Sequence, residues 1–196
     1  FIMKQHTIDY IGLYGPTAIG KTALALSMAA HYPIEIISVD SALVYKGMNI
    51  GTGKPSKEEQ KLCPHHLIDI IDPDQNFTVG QFFQQASELI NAIRQRKRIP
   101  LLVGGTALYF ESLAKGYTQL PVIDENIRQK THEVYSSKGL LHLRQQLLLW
   151  DSRHEVLHPN DTQRIIRAYN VYCQTKTAIY DFWENQTPQL SGQLIC

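Results

Sequence analysis

The sequence predicts an α/β fold in which a parallel β-sheet core carries an all-helical insertion. Three observations predict it. Short apolar runs alternate with helical patterns over residues 1–118, a glycine-containing loop connects the first apolar run to the first helix, and the pattern after Pro121 is helical throughout. Strands that alternate with helices build parallel sheets through right-handed crossovers, because each helix carries the chain back to the edge of the sheet from which the next strand starts.

The first strand and the first helix enclose the most informative segment of the chain. Residues 8–14 form an apolar run, and residues 21–31 are rich in Ala, Leu and Met and stop before Pro33. The segment between them reads GPTAIGKT and fits the phosphate-binding loop pattern GxxxxGK[ST]. In this pattern, backbone N–H groups and one lysine surround a di- or triphosphate, and the Ser or Thr hydroxyl can bind Mg²⁺. The sequence therefore predicts a core like that of P-loop NTPases, with phosphate bound by Gly15, Pro16, Thr17, Ala18, Ile19, Gly20, Lys21 and Thr22.

The loop alone leaves open which molecule carries the phosphates. A nucleotide that donates a phosphoryl group would be held in the same way as another molecule for which pyrophosphate is the leaving group. A small-molecule kinase that uses ATP and a nucleotide-dependent RNA-binding module without catalysis therefore remain open, besides an enzyme whose leaving group is pyrophosphate.

Polar residues follow two further predicted strands at their carboxyl ends, where open parallel sheets bind their ligands. Residues 34–39 are an apolar run closed by Asp40, and the strand over residues 99–104 leads to Thr106. Asp40 could bind magnesium through water, act as a general base or cap the next turn. Thr106 could donate to a phosphate or a base, or serve as the N-cap of a helix over residues 107–116.

The remaining core elements follow from local signals. The run HHLIDIID, residues 65–72, predicts a strand, and Ser56 with Glu59 three residues later predicts a capping box. Residues 78–98 have the period of an amphipathic helix, and their final RQRKR is interpreted as a cationic helix end rather than an RNA-binding patch. Three aspartates are interpreted as solvated turn residues: Asp69, Asp72 and Asp74.

The segments after Pro121 form three helical stretches: ENIRQKTHEVYSS, LLHLRQQLLLW and NDTQRIIRAYNVYCQTK. In the last stretch, Gln163, Arg164 and Arg167 occupy adjacent turns, so both guanidinium groups could face a phosphate backbone. A solvated face of an amphipathic helix explains these residues equally well.

The final residues, SGQLIC, read as an apolar, strand-like run. We therefore expect a core over residues 1–118, a helical insertion over residues 119–188 and a return to the core over residues 189–196. The rest of the core is expected beyond Cys196.

Composition restricts the possible settings of the protein. Lys and Arg number 19 against 18 Asp and Glu, so the net charge of +1 neither supports nor excludes an RNA partner. The three cysteines lack CxxC spacing, and neighbouring His65 and His66 would point to opposite faces of a strand, so no zinc site or disulfide framework is expected. With no signal-peptide layout and no apolar run near the roughly 20 residues that span a bilayer, we expect a cytoplasmic protein without membrane contact. We also expect it to be a monomer.

Five segments occur in a characteristic order: GPTAIGKT, ISVDSALVYKGMNIGTGKP, HHLIDIIDP, PLLVGGTALYF and HPNDTQRIIRA. Together they resemble the tRNA dimethylallyltransferases, the bacterial isopentenyl-tRNA transferases, over essentially the whole chain. The resemblance implies that the phosphate loop holds the diphosphate of dimethylallyl diphosphate with Mg²⁺. It further implies that the five-carbon group moves to N6 of adenosine 37, beside the anticodon of a tRNA, and that diphosphate is released.

The resemblance also implies roles for individual residues. Lys21 is the counter-charge to the diphosphate, Thr22 is the magnesium ligand, and Asp40 accepts the proton from N6. Thr106 orders the transition state or contacts the tRNA, and a further arginine for the diphosphate is expected after Cys196. Besides Asp40, the implied tRNA contacts are Ser41, Ala42, Leu43, Thr106, Arg128, Gln163, Arg164, Ile165, Ile166 and Arg167, of which Leu43 departs from the glutamine found in many relatives.

Overall fold

The computed structural model describes residues 8–48, 53–184 and 190–196. The chain divides into two compact units. The first, called the core unit here, comprises residues 1–117 and 187–196, and the second, called the helical unit, comprises residues 118–186.

The core unit is built on a five-stranded sheet. Its strands are β1 (Tyr10–Tyr14), β2 (Ile34–Val39), β3 (His65–His66), β4 (Ile99–Gly104) and β5 (Gly192–Ile195). They lie in the order β3-β2-β4-β1-β5, and every pairing is parallel. All six residues of β2 are buried, as expected for a central strand of a sheet that is covered on both faces. The predicted α/β fold with a parallel sheet is confirmed.

Four helices accompany this sheet: α1 (Lys21–Ala29), α2 (Lys57–Leu62), α3 (Val79–Gln95) and α4 (Ala107–Lys115). Alternate residues of β2 point to opposite faces, so Ile37 packs in one cluster with Phe82 of α3, whereas Ile36 packs in another with Ala25 of α1. The predicted capping box is confirmed, since the Ser56 side chain accepts from the N–H of Glu59 and the Glu59 side chain accepts from the N–H of Ser56.

The predicted strand over residues 65–72 is wrong after His66. Leu67 and Asp69 have φ values of +61° and +53°, which no strand allows. The N–H groups of Asp69 and Ile70 instead donate to the carbonyl oxygens of Leu43 and Val44. This pairing places the segment after β3 against the segment that follows Asp40.

The predicted helix over residues 78–98 ends at Gln95, and the arginines of RQRKR form ion pairs with the buried Glu35 and the partly buried Asp9. Arg96 donates two hydrogen bonds to the Glu35 carboxylate, at 3.0 and 2.7 Å, and Arg98 lies 3.3 Å from it. Arg94 pairs with Asp9. The arginines of this run are therefore paired with acids in and beside the sheet, in addition to lying near the carboxyl end of α3.

The helical unit contains α5 (Glu125–Trp150), α6 (Thr162–Thr175) and α7 (Ile179–Glu184), with a 3-10 turn at Ser152–Val156. Two helical segments meet within α5 at Gly139, whose φ is +80°. Leu143 and Leu147 of α5 pack with Ile165 of α6 in the core of this unit. Over the described residues, none of the helices combines the length and the apolar character needed to cross a membrane.

Candidate active site

The phosphate-loop segment connects β1 to α1 and folds around its own lysine. Nζ of Lys21 donates to the carbonyl oxygens of Gly15 and Pro16, at 2.7 and 2.6 Å. Gly20, the N-cap of α1, has a φ of +94°, and no side chain accepts from the first N–H groups of the helix. A helix start of this kind offers N–H donors and a partial positive charge to an anion. The loop is thus shaped to bind phosphate groups.

The phosphate loop is hydrogen-bonded to the carboxyl end of β4. The N–H of Gly15 donates to the carbonyl oxygen of Gly104 at 3.3 Å. A Cβ atom added to Gly104 would lie 2.0 Å from the carbonyl oxygen of Val39, so only glycine allows the ends of β2 and β4 to approach each other this closely.

Asp40 is the first residue after β2, and its carboxylate is oriented by a neighbouring amide. The N–H of Ala42 donates to Oδ1 of Asp40 at 2.8 Å. Among the described residues no group donates a hydrogen bond to Oδ2 of Asp40. Asp40 therefore caps the following turn, which was one of its three interpretations, while its roles as a magnesium ligand and as a general base stay predictions.

Thr106 precedes α4 at the N-cap position, but its side chain does not cap that helix. Its Oγ1 instead accepts a hydrogen bond from the N–H of Ser41, and its own N–H donates to the carbonyl oxygen of Val39. Thr106 therefore joins the loop after β4 to the loop after β2. The predicted N-cap position of Thr106 is confirmed, but its side chain bonds to Ser41 instead of to the first N–H groups of α4.

The phosphate loop and Asp40 face one cavity of about 230 Å³ at the carboxyl ends of β1, β2 and β4. The sequence predicted ligand binding at this edge of the sheet. The residues that line the cavity are Thr17, Ala18, Gly20, Lys21, Thr22, Asp40, Leu43, Gly53, Val103 and Gly104.

The donor groups in this cavity suit Mg²⁺. The Thr22 hydroxyl and the Asp40 carboxylate supply oxygen ligands, and Mg²⁺ is usually bound by one or two such groups together with substrate phosphates and water. The described residues include no cluster of three or more His, Cys, Asp or Glu side chains suited to a metal.

Sequence reasoning missed Lys54, which holds the segments beside the cavity. Its side chain is 6% exposed, and its Nζ lies 2.5 Å from Oδ1 of Asp69 and 3.4 Å from the carbonyl oxygen of Tyr45. Asp69 itself lies in a bend with 40% of its side chain exposed, as interpreted from the sequence, but the sequence did not indicate its ion pair with Lys54. A single lysine within a glycine- and proline-containing loop was the available signal. Residues 49–52 of the same loop lie outside the described residues.

One tyrosine near the cavity is kept neutral. Burial raises the pKa of Tyr109, and the nearby Tyr45 and Asp40 add smaller contributions in the same direction. The Tyr109 ring stacks on Phe82, with centroids 4.2 Å apart. At neutral pH this residue is a fixed, uncharged side chain.

The residues expected to contact tRNA in the helical unit differ in exposure. Arg164 is 77% exposed, and its Nε lies 3.5 Å from Asp161. Arg167 donates to the carbonyl oxygen of Pro121 at 3.3 Å. The Ile165 side chain is completely buried, so it stabilises the unit and is not available to a ligand. The other residues of this set are also placed: Gln163 is exposed, Ile166 packs against the core of the unit, and Arg128 lies 3.7 Å from Glu125 with 54% of its side chain exposed.

The core unit thus brings together Lys21, Thr22 and Asp40 in one cavity, with Leu43 in its wall. Thr106 lies beside it, bonded to Ser41. The catalytic roles that the resemblance implies for these residues stay predictions, because the structure shows that they lie close together and not what they react with.

Comparisons with known proteins agree on one family. Residues 43–196 match the model of the family described as IPP transferase. The chain is 45% identical over 165 residues to a tRNA dimethylallyltransferase of Hydrogenovibrio crunogenus. This match covers 84% of this chain and 51% of that protein. It is 51% identical over 163 residues to the tRNA dimethylallyltransferase of Ralstonia pickettii, and this match covers 83% of this chain and 50% of that protein. The chain therefore spans about half the length of the curated relatives it matches.

Solved structures agree with the fold. A eukaryotic dimethylallyltransferase acting on tRNA superposes with a TM-score of 0.81 at 25% identity, over 96% of this chain and 47% of that one. A tRNA isopentenylpyrophosphate transferase from Bacillus halodurans gives a TM-score of 0.56 at 38% identity, over 86% and 56%. This likeness confirms the predicted P-loop NTPase-like fold. By the family match, by identity and by fold, the chain belongs to the IPP transferase family.

Proposed function

We propose that the full-length protein transfers the dimethylallyl group of dimethylallyl diphosphate to N6 of adenosine 37 in the anticodon loop of tRNA. The observation that carries this proposal is the single cavity shared by the phosphate loop and Asp40. A phosphate loop next to a carboxylate provides a cation site for a leaving group and a base for a nucleophile, which are the two requirements of this reaction.

The phosphate loop acts on the leaving group. In the proposed step the bond between C1 of the dimethylallyl group and the diphosphate oxygen breaks, while a bond between N6 and C1 forms. Negative charge then develops on the diphosphate, and the Lys21 ammonium and the N–H groups at the start of α1 stabilise it. Mg²⁺, which the Thr22 hydroxyl would hold together with the phosphates, would supply further charge stabilisation.

Asp40 acts at the other end of the reaction. The exocyclic amine of adenine is a weak nucleophile and must lose a proton as it attacks. Because Oδ1 of Asp40 accepts from Ala42, the carboxylate is held in one orientation and Oδ2 can receive that proton. The proton therefore leaves N6 for Asp40, and diphosphate leaves C1.

The target base must reach the cavity from a stacked anticodon loop. Extrusion of a base costs a few kcal/mol in unstacking, which contacts elsewhere on the tRNA have to offset. The exposed Arg164 on α6 suits a contact with the phosphate backbone, which is sequence-independent and strengthens binding.

The test is transfer of labelled dimethylallyl diphosphate to unmodified tRNA carrying A36-A37-A38, with Mg²⁺, and a parallel reaction with labelled ATP. Asp40→Asn keeps an oxygen for the Ala42 N–H but removes the base, so we expect turnover to fall by about 10²- to 10⁴-fold with tRNA affinity unchanged. The matched control is Asp74→Asn, because Asp74 is exposed and does not line the cavity. Unlabelled tRNA with consumption of ATP would instead indicate phosphoryl transfer, and near-normal turnover of Asp40→Asn would remove Asp40 from the role of base.

A further inference from the structure

A second, much smaller cavity lies beside the diphosphate cavity in the core unit. Its volume is about 30 Å³, which is enough for one water molecule. Thr22, Leu43 and Val103 line both cavities, so these three residues form the wall between them.

Two buried polar atoms belong to residues of the small cavity and have no hydrogen-bond partner among the described residues. They are Oγ of Ser38 and Nε2 of His65. Ser38 lies near the carboxyl end of β2, opposite Val103 of β4, and is 3% exposed. Buried polar atoms are almost always paired, and an unpaired one costs free energy, so a polar site with two such atoms requires a partner for both.

The protonation state of His65 decides whether its partner must donate or accept a hydrogen bond. Nδ1 of His65 lies 2.8 Å from the carbonyl oxygen of Cys63, which can only accept, so Nδ1 carries the hydrogen. Burial lowers the pKa of His65, so the ring is neutral at physiological pH. Its Nε2 is then an acceptor and needs a donor, whereas the Ser38 hydroxyl can donate or accept. A water molecule satisfies both groups at once.

We propose that this cavity binds one ordered water that donates to Nε2 of His65 and is hydrogen-bonded to Oγ of Ser38, and that the water-linked pair fixes the wall formed by Thr22 and Leu43. His65 and Ser38 are thus positioning residues for the diphosphate cavity. The positioning role rests on the proposed function, whereas the water site does not.

Two substitutions at His65 separate the water link from general packing. Asn places its amide near the position of Nδ1, so His65→Asn can keep the bond to Cys63 but loses the group at Nε2. Gln reaches the position of Nε2, so His65→Gln keeps a polar atom facing the water. Ser38→Ala removes the second partner, and His66→Gln is the control, because His66 bonds to Glu35 and does not line the small cavity.

The experiment combines a high-resolution crystal structure of the full-length protein with calorimetric titration of Mg²⁺-pyrophosphate into each variant. We expect one water within hydrogen-bond distance of both Ser38 and His65. We also expect pyrophosphate binding to weaken about two- to tenfold in His65→Asn and Ser38→Ala, the effect of one lost hydrogen bond, and to stay near the parent value in His65→Gln and His66→Gln.

The possible failures are distinguishable. A cavity without ordered water overturns the inference, whatever the binding results. Equal pyrophosphate affinity in all variants, or equal loss in His65→Asn and His65→Gln, overturns the positioning role while the proposed function stands. A parent protein that binds no pyrophosphate contradicts the proposed function and the positioning role together.

Discussion

The backbone N–H of Ser41 donates a hydrogen bond to Oγ1 of Thr106, with an N···O distance of 3.1 Å. The two residues lie 65 positions apart in the sequence, in the loops that follow the neighbouring strands β2 and β4. The N–H of Thr106 also donates to Val39, so Asp40 is flanked on both sides by residues bonded to Thr106. Thr106 therefore holds Asp40 in place relative to β4.

We first predict that Thr106→Val lowers turnover about tenfold and the free energy of unfolding by about 1 kcal/mol, because it removes one hydrogen-bond acceptor while keeping the shape. Transfer assays and urea denaturation measure the two effects. Thr106→Ser keeps the hydroxyl and is the control, expected near the parent in both. Parent-like turnover of Thr106→Val would show that the bond to Ser41 does not position Asp40.

Local patterns predicted the elements that depend on local sequence. The run from Ile34 to Val39 is apolar throughout and bounded by Pro33 and Asp40, and it forms a strand with these limits. The capping box at Ser56 was readable because both of its partners lie within four residues. The order of strands and helices then fixes a parallel sheet, since no other connection returns each strand to the same direction.

Features that depend on distant residues were not predictable. The strand that begins at His65 stops after His66, because Asp69 bonds to Leu43 and to Lys54, and nothing in the sequence next to His65 indicates these distant partners. For the same reason the pattern could not decide whether Thr106 caps α4. Candidate residues such as Lys21 and Asp40 were identified from motifs, but only the fold shows that both face one cavity.

The second prediction concerns the contact between the ends of β2 and β4. Gly104→Ala would place a methyl group 2.0 Å from the carbonyl oxygen of Val39, where only backbone movement can relieve the clash. We expect a loss of about 3 kcal/mol or more in the free energy of unfolding, measured by urea denaturation, with loss of pyrophosphate binding.

The matched control for this change is Gly47→Ala. Gly47 has a φ of +77°, but no described atom lies within 4 Å of a Cβ built there. We expect only the backbone cost of about 1–2 kcal/mol. Equal destabilisation by the two substitutions would show that the close approach to Val39 is not what requires glycine at position 104.

The third prediction is a pH dependence that arises at Glu35. Glu35 is 4% exposed, and the hydrogen bonds from Arg96 lower the pKa of its carboxyl group below the usual value of 4.5, against the opposing effect of burial. A carboxyl group with a lowered pKa in the folded state stabilises the protein above its unfolded pKa and loses this effect as the pH falls through the folded value. We therefore expect the free energy of unfolding to decline below about pH 4.5.

Glu35→Gln removes the titrating group. The variant should be less stable than the parent at pH 7, and the difference should shrink as the pH falls, as measured by urea denaturation at several pH values. Glu111→Gln is the control, because Glu111 pairs with Lys115 on the exposed face of α4 and such pairs contribute little. A stability difference that stayed constant with pH would disprove the link to Glu35.

The fourth prediction separates two arginines of α6. Arg164 is 77% exposed, so Arg164→Ala should leave the free energy of unfolding unchanged. If it contacts a tRNA phosphate, its loss should weaken binding and reduce the slope of log K against log salt by about 1. Arg167 donates to Pro121, so Arg167→Ala should also destabilise the helical unit.

Salt-dependent tRNA binding and thermal unfolding, measured on both variants, decide between a contact and a structural role. Lys115→Ala removes one positive charge from the core unit and controls for the change in net charge, with no change in the salt slope expected. If Arg164→Ala bound tRNA as the parent does at every salt concentration, the exposed face of α6 would not contact the tRNA backbone. The residue would then be a solvated arginine on an amphipathic helix, the alternative that its spacing also allows.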